Sequence, residues 1–143
     1  MSMVHIVFWS GTGNTQRMAE AIAAGAAKAG APVVVSPAAE ARVETVLAAP
    51  VLALGCPSMG AEVLEESEME PFVMALEAAG LRGKKLALFG SYDWGDGQWM
   101  REWQERMEKS GAIMVTDGLI ANNTPDADAL GLCAALGAKL AGA

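Results

Sequence analysis

The sequence predicts a doubly wound α/β fold: a five-stranded parallel sheet with helices on both faces, in a three-layer α/β/α sandwich. Three observations carry this. Apolar runs occur at residues 3–9, 31–35, 51–56, 86–90 and 112–115, and they are nearly continuous, as strands covered on both faces require. A helical pattern follows each run, so strand and helix alternate five times, which implies right-handed parallel crossovers. With 143 residues and 52% hydrophobic composition, the chain suits one domain spanning 1–143 with a core on each side of the sheet.

The elements follow in order. The first run leads into Trp9-Ser10-Gly11-Thr12-Gly13-Asn14-Thr15 and then a helix marked by Met18, Ile22 and Ala26, which Gly30 and Pro32 end. After the second run, residues 41–49 form a shorter helical candidate. The third run opens onto Gly55-Cys56-Pro57-Ser58-Met59-Gly60-Ala61-Glu62. Ser67 with Glu70 resembles a capping box ahead of Phe72, Val73 and Leu76, and Pro71 stands close enough to that helix start for its missing N–H to cost little. The fourth run ends in Gly90-Ser91-Tyr92-Asp93-Trp94-Gly95-Asp96-Gly97, where Asp96 is the expected N-cap of a helix carrying Trp99, Trp103, Arg106 and Met107 and stopped by Gly111. Thr116-Asp117-Gly118 interrupts the segment 112–121, which reads as a fifth strand with a kink or bulge. The last helix covers about 126–140.

Charge and composition exclude several classes. The net charge is −7, and no Lys or Arg occurs between Arg42 and Arg82, an interval that holds Glu62, Glu65, Glu66, Glu68 and Glu70. This acidic, solvated face excludes nucleic acid and suits basic protein partners. No apolar stretch is long enough to span a membrane, so a cytoplasmic monomer is expected. Cys56 and Cys133 are too few and too scattered for a disulfide framework or zinc site and read as reduced, buried thiols. His5, the only histidine, lies inside the first strand and reads as structural. No acid/base or nucleophile constellation is present, which argues against an enzyme.

The turn after the first strand is built to hold phosphate without a cation. A nucleotide-hydrolysing loop carries Lys followed by Ser or Thr, whereas the first basic residue here is Arg17, one turn into the helix. Gln16 stands where a dinucleotide fingerprint needs its third glycine. What remains are backbone N–H groups, the hydroxyls of Ser10, Thr12 and Thr15, and the Asn14 amide at the positive end of a helix dipole. That donor set suits a monophosphate that stays bound. Loops leaving the third and fourth strands add Met59 beside Gly60, and Tyr92 and Trp94 between glycines. Trp94 reads either as a binding aromatic or as a cover for a helix end; Trp99 and Trp103 read as packing, and Trp9 is ambiguous. A cation-free nest, a thioether wall, an indole wall and an acidic rim together describe a slot for a flat aromatic molecule with a phosphate tail, and FMN fits.

Three motifs, Ser-Gly-Thr-Gly-Asn-Thr at 10–15, Gly-Cys-Pro-x-Met-Gly-x-Glu at 55–62 and Gly-Ser-Tyr-x-Trp-Gly at 90–95, resemble the FMN-binding loops of short-chain flavodoxins from anaerobic bacteria. The resemblance extends over essentially the whole chain, including the turn 120–125. It implies the flavodoxin-like strand order 2-1-3-4-5, with FMN at the switch point between strands one and three, a placement carried over from the family. It further implies that Ser10, Gly11, Thr12, Gly13, Asn14 and Thr15 hold the phosphate, that Met59 and Trp94 sandwich the ring, and that Glu62 bonds its pyrimidine edge. Pro57, Ser58, Ser91, Tyr92, Asp93, Gly95 and Asn123 would complete the ring and ribityl contacts. In the family, the peptide corresponding to Gly60-Ala61 turns over on reduction and steadies the neutral semiquinone. The implied function is low-potential one-electron transfer between semiquinone and anionic hydroquinone. The carboxylates of Glu62, Glu65, Glu66, Asp93 and Asp96 would repel the second electron, and redox proteins would dock on the acidic face.

The family usually places Gly, Asp, Asn or Ser at the position of Ala61, so a reduced-state turn with positive φ there would cost about 1 kcal/mol or more relative to Gly and leave the semiquinone less stabilised by some tens of millivolts. Asp93 replaces a Gly of close relatives. Three other readings remain: an FMN-dependent NAD(P)H oxidoreductase; a carrier specialised for one enzyme, such as a ribonucleotide reductase activator; and a phosphoacceptor receiver module. The last needs an acidic pair where Trp9-Ser10 stand.

Overall fold

The central strands are buried on both faces, and the alternation of their side chains between those faces sorts the helices into two layers. In the computed structural model, which covers residues 1–143, β1 (Val4–Phe8), β3 (Val51–Gly55) and the first part of β4 (Lys85–Tyr92) send successive side chains to opposite faces. Val4, Ile6, Val51, Ala53 and Ala87 meet Met18, Ile22 and Ala26 of α1 (Asn14–Lys28) and Cys133, Leu136 and Leu140 of α5 (Ala127–Ala141). Val7, Leu52, Leu54, Leu86 and Leu88 meet Val46 of α2 (Val43–Ala48), Phe72 and Leu76 of α3 (Met69–Ala79), and Trp99, Trp103 and Met107 of α4 (Gln98–Lys109). Both cysteines are free and buried. Burial pushes the Cys56 thiol up to about 12 and the Cys133 thiol up to about 11.

The sheet is parallel throughout, in the order β2-β1-β3-β4-β5 with β2 at Val33–Pro37. Two details correct the sequence reading. The fifth position holds two short strands: β5 (Ile113–Met114) pairs with Lys85 and Leu86, and β6 (Leu119–Asn122) pairs with Phe89 through Tyr92. Thr116-Asp117-Gly118 breaks the ladder between them, and Gln104 holds this break by accepting the Gly118 N–H at 2.9 Å and donating to Asp117 Oδ1 at 3.1 Å. The second correction is β2, an edge strand whose Val34 and Val35 are each 39% exposed. Its apolar run reflects β propensity more than burial on both faces. His5 is buried with Nε2 3.1 Å from Ser36 Oγ, and desolvation lowers its pKa, in keeping with a structural role.

Close approach of α1 and α5 depends on missing side chains. A Cβ on Gly25 would stand 2.0 Å from Ala134 O, and one on Gly137 would stand 2.0 Å from Ile22 O.

Helix caps account for two further corrections. The Ser67/Glu70 capping box does not form. Instead the Glu65 carboxylate accepts the N–H groups of Ser67 (2.8 Å), Glu68 (2.7 Å) and Met69 (3.0 Å) and the Ser67 hydroxyl, so it closes the start of α3. Glu70 is occupied elsewhere. Arg106 grips it through two bonds of 2.8 and 2.6 Å and holds Glu77 through two more, and its bonds to Glu77 keep that carboxyl below its ordinary value. Asp96 pairs with Arg101 at 3.0 Å, and Gly97 with φ +94° takes the N-cap position of α4.

Burial of Glu65 opposes its charge, but hydrogen bonds from Ser67, Met69 and Glu68 outweigh it and hold the carboxyl at about 2. A depressed folded pKa gives stability that is complete above the unfolded value and lost as pH falls. Glu65→Ala is therefore expected to lower unfolding free energy by about 1–2 kcal/mol at neutral pH. In urea titrations, the gap from wild type should close as pH falls from 4.5 towards 2.

Candidate functional site

Four loops meet at the carboxyl ends of the strands, where the order reverses between β1 and β3, and enclose a cleft of about 390 Å³. The first loop joins β1 to α1. Ser10 Oγ accepts the N–H of Gly13 at 3.0 Å and of Gln16 at 3.3 Å, while Thr12 Oγ1 accepts that of Asn14 at 3.4 Å. The N–H groups of Ser10, Gly11, Thr12 and Thr15 find no partner in the chain. No lysine or arginine lines the cleft, so these donors and the helix dipole are what an anion meets.

The second loop closes on itself. Met59 and Val63 exchange two backbone bonds of 2.9 Å around Gly60-Ala61-Glu62. Positive φ falls on Gly60 (+48°) and Glu62 (+56°) and not on Ala61 in this conformation. Asp93 likewise has no positive φ. The Glu62 carboxylate leans over Gly95, where a Cβ would stand 2.5 Å from Glu62 Oε1; that oxygen is buried and has no hydrogen-bond partner.

In the third loop Trp94 is 57% exposed, while Tyr92 lies against Trp99 with ring centroids 5.6 Å apart. Trp99 Nε1 donates to Cys56 O at 3.1 Å, which locks α4 to the second loop. The fourth loop contributes Asn123, with φ +55° and its N–H on Tyr92 O at 2.7 Å.

Of the residues the sequence assigned, Gly11, Thr12, Asn14, Pro57, Ser58, Met59, Gly60, Ser91, Tyr92, Asp93, Trp94 and Asn123 line the cleft. Ser10, Gly13, Thr15, Ala61, Glu62 and Gly95 do not. Ser10 turns inward to cap α1, Gly13 supplies a φ of +95°, Thr15 is buried, and Ala61 is exposed on the hairpin. Trp9 is the addition: it lines the cleft, and its Nε1 donates to Glu68 Oε1 at 2.9 Å. An aromatic directly before a phosphate-type turn was the available signal. Glu65 leaves the acidic rim, since its carboxylate is consumed in capping α3.

A doubly wound sheet with a cation-free donor nest and an aromatic slot at its switch point defines a class of small ligand-binding α/β proteins. The chain belongs to the flavodoxin family: the family model described as Flavodoxin matches residues 6–137. It is 48% identical over 136 residues to a flavodoxin of Clostridium beijerinckii, covering 95% of this chain and 97% of the relative. It is 46% identical to a flavodoxin of Megasphaera elsdenii, covering 93% and 98%. The solution structure of two-electron reduced Megasphaera elsdenii flavodoxin superposes with a TM-score of 0.88 at 45% identity, over 99% of this chain and 100% of that one. Flavodoxins are electron carriers that bind flavin, and the order 2-1-3-4-5 inferred from the resemblance is the order observed. No helix of the protein is long and apolar enough to cross a membrane.

Left-handed backbone at a side-chain-bearing residue costs about 1 kcal/mol, and Glu62 also buries an unpaired oxygen. Glu62→Gly is expected to raise the thermal stability of the flavin-free chain, equivalent to about 1 kcal/mol, while weakening flavin binding. Calorimetric melting with and without added FMN checks both signs.

Proposed function

We propose that this chain is a low-potential one-electron carrier with FMN as its prosthetic group. The observation that carries the reading is the first loop: four free backbone N–H groups, those of Ser10, Gly11, Thr12 and Thr15, no cation, and an aromatic-lined cleft directly alongside. When bound, FMN supplies a ring that accepts electrons one at a time, and the carrier works between its one-electron and two-electron reduced forms.

The chain's own residues set the conditions. The free N–H groups of Gly11, Thr12 and Thr15 would hold the phosphate, with the Asn14 amide beside them. Met59 and Trp94 would flank the ring. The unpartnered Glu62 Oε1 fits a ring N–H donor, since that bond would satisfy an acceptor the fold leaves bare. Carboxylates of Glu62 and Asp93 raise the cost of added electrons by about 1 kcal/mol per close pair after screening, and about 1.4 kcal/mol is about 59 mV for one electron. Glu66, Glu68 and Asp93 supply a rim for basic patches on donor and acceptor proteins, giving fast, weak and salt-sensitive association.

A hydride-accepting oxidoreductase is disfavoured, because no basic residue lines the cleft to hold a second nucleotide. The test is anaerobic potentiometry of the purified chain with its bound flavin. Expected are FMN as the extractable pigment, a lower second potential than that of free FMN, and an upward shift of some tens of millivolts in Glu62→Gln and Asp93→Asn. Direct reduction by NADPH without a partner protein would establish the oxidoreductase instead.

A further inference from the structure

Three of the cleft's loops converge on one residue. Ser91 donates its N–H to Thr15 Oγ1 at 3.3 Å, sets its own hydroxyl 3.0 Å from that oxygen, and accepts the Ser58 N–H on its carbonyl at 3.0 Å. Thr15 belongs to the first turn of α1 and is fully buried; Ser91 is only 4% exposed, yet lines the cleft. Ser91 Oγ is the only acceptor within hydrogen-bonding reach of the Thr15 hydroxyl.

Two facing hydroxyls have room for one proton between them, so the pair has two arrangements. In the first, Thr15 donates to Ser91 and the Ser91 proton is free to point at the cleft. In the second, Ser91 donates to Thr15 and turns its lone pairs to the cleft. Hydrogen-bonded hydroxyls polarise one another along the chain, so a charge at one end sets the direction of both.

We propose that an anion on the first turn of α1 selects the second arrangement, so that occupation of the tail site turns Ser91 from donor to acceptor at the wall of the cleft. The free Thr15 N–H marks where negative charge is drawn in, and the field of a dianion there orients the Thr15 O–H towards it. Ser91 is thus a positioning residue through which the tail site speaks to the rest of the ligand. The inference rests on reading the cleft as a flavin site with a phosphate tail.

FMN and riboflavin differ only in the phosphate, so the pair isolates the effect. Each is titrated into the flavin-free full chain and into Ser91→Ala, with dissociation constants read from flavin fluorescence. The expected loss on Ser91→Ala is about tenfold for FMN and about twofold for riboflavin. In a Thr15→Val background, the same change should weaken both ligands alike. Ser91→Cys, which keeps the volume with a poor donor and acceptor, should reproduce the difference, so a folding defect in one variant does not decide the outcome. Equal losses for the two flavins in the wild-type background overturn the proposal while leaving the carrier reading intact. A wild-type chain that binds neither flavin overturns both.

Discussion

Backbone N–H groups that cannot be satisfied by the chain are the constraint around which this molecule is arranged. A helix start always leaves such groups, and the sequence of the first loop decides what becomes of them. Ser10 takes two, Thr12 takes one weakly, and the donors of Ser10, Gly11, Thr12 and Thr15 are left without a partner in the chain, beside a cleft free of positive side chains. A lysine at this place would bind phosphate as a point charge, whereas the chain offers only uncharged donors there. On the proposed reading, neutral donors would hold the tail and leave the electrostatics of the ring site to the carboxylates around it.

The acidic interval between Arg42 and Arg82 is not one surface. Glu65 closes the start of α3, Glu68 holds the Trp9 indole, and Glu70 and Glu77 are drawn onto Arg106. These bonds fix the second loop, the first loop and α4 relative to one another, so the same run of acids that gives the rim its sign also sets the shape of the cleft. Glu62 stands apart, with a buried carboxylate oxygen that the protein itself leaves unpaired.

The layers, the strand positions and the phosphate turn were legible in the sequence because they rest on local rules: apolar runs, periodic helices and glycines at turns. Met18, Ile22 and Ala26 are buried as their spacing implies, and Asp126 caps α5 through its bond to the Ala129 N–H. The caps of α3 and α4 were misread because several residues nearby could serve, and tertiary partners decided among them: Arg106 claimed Glu70, and Arg101 claimed Asp96. The split of the fifth strand depends on Gln104, a residue more than ten positions away from the break, and no local pattern announces it. Twelve of the eighteen assigned site residues line the cleft; the other six act by capping, turning or backing it, distinctions that type and spacing do not encode.

On the proposed reading, uncharged backbone donors at the start of α1 would hold the tail of the cofactor. Amide nuclear magnetic resonance of the labelled full chain, recorded without and with FMN, tests it most directly. The Gly11, Thr12 and Thr15 amide protons are expected to move strongly downfield on addition of FMN and much less on addition of riboflavin. Resonances at those three amides that stay in place while FMN is bound would contradict it.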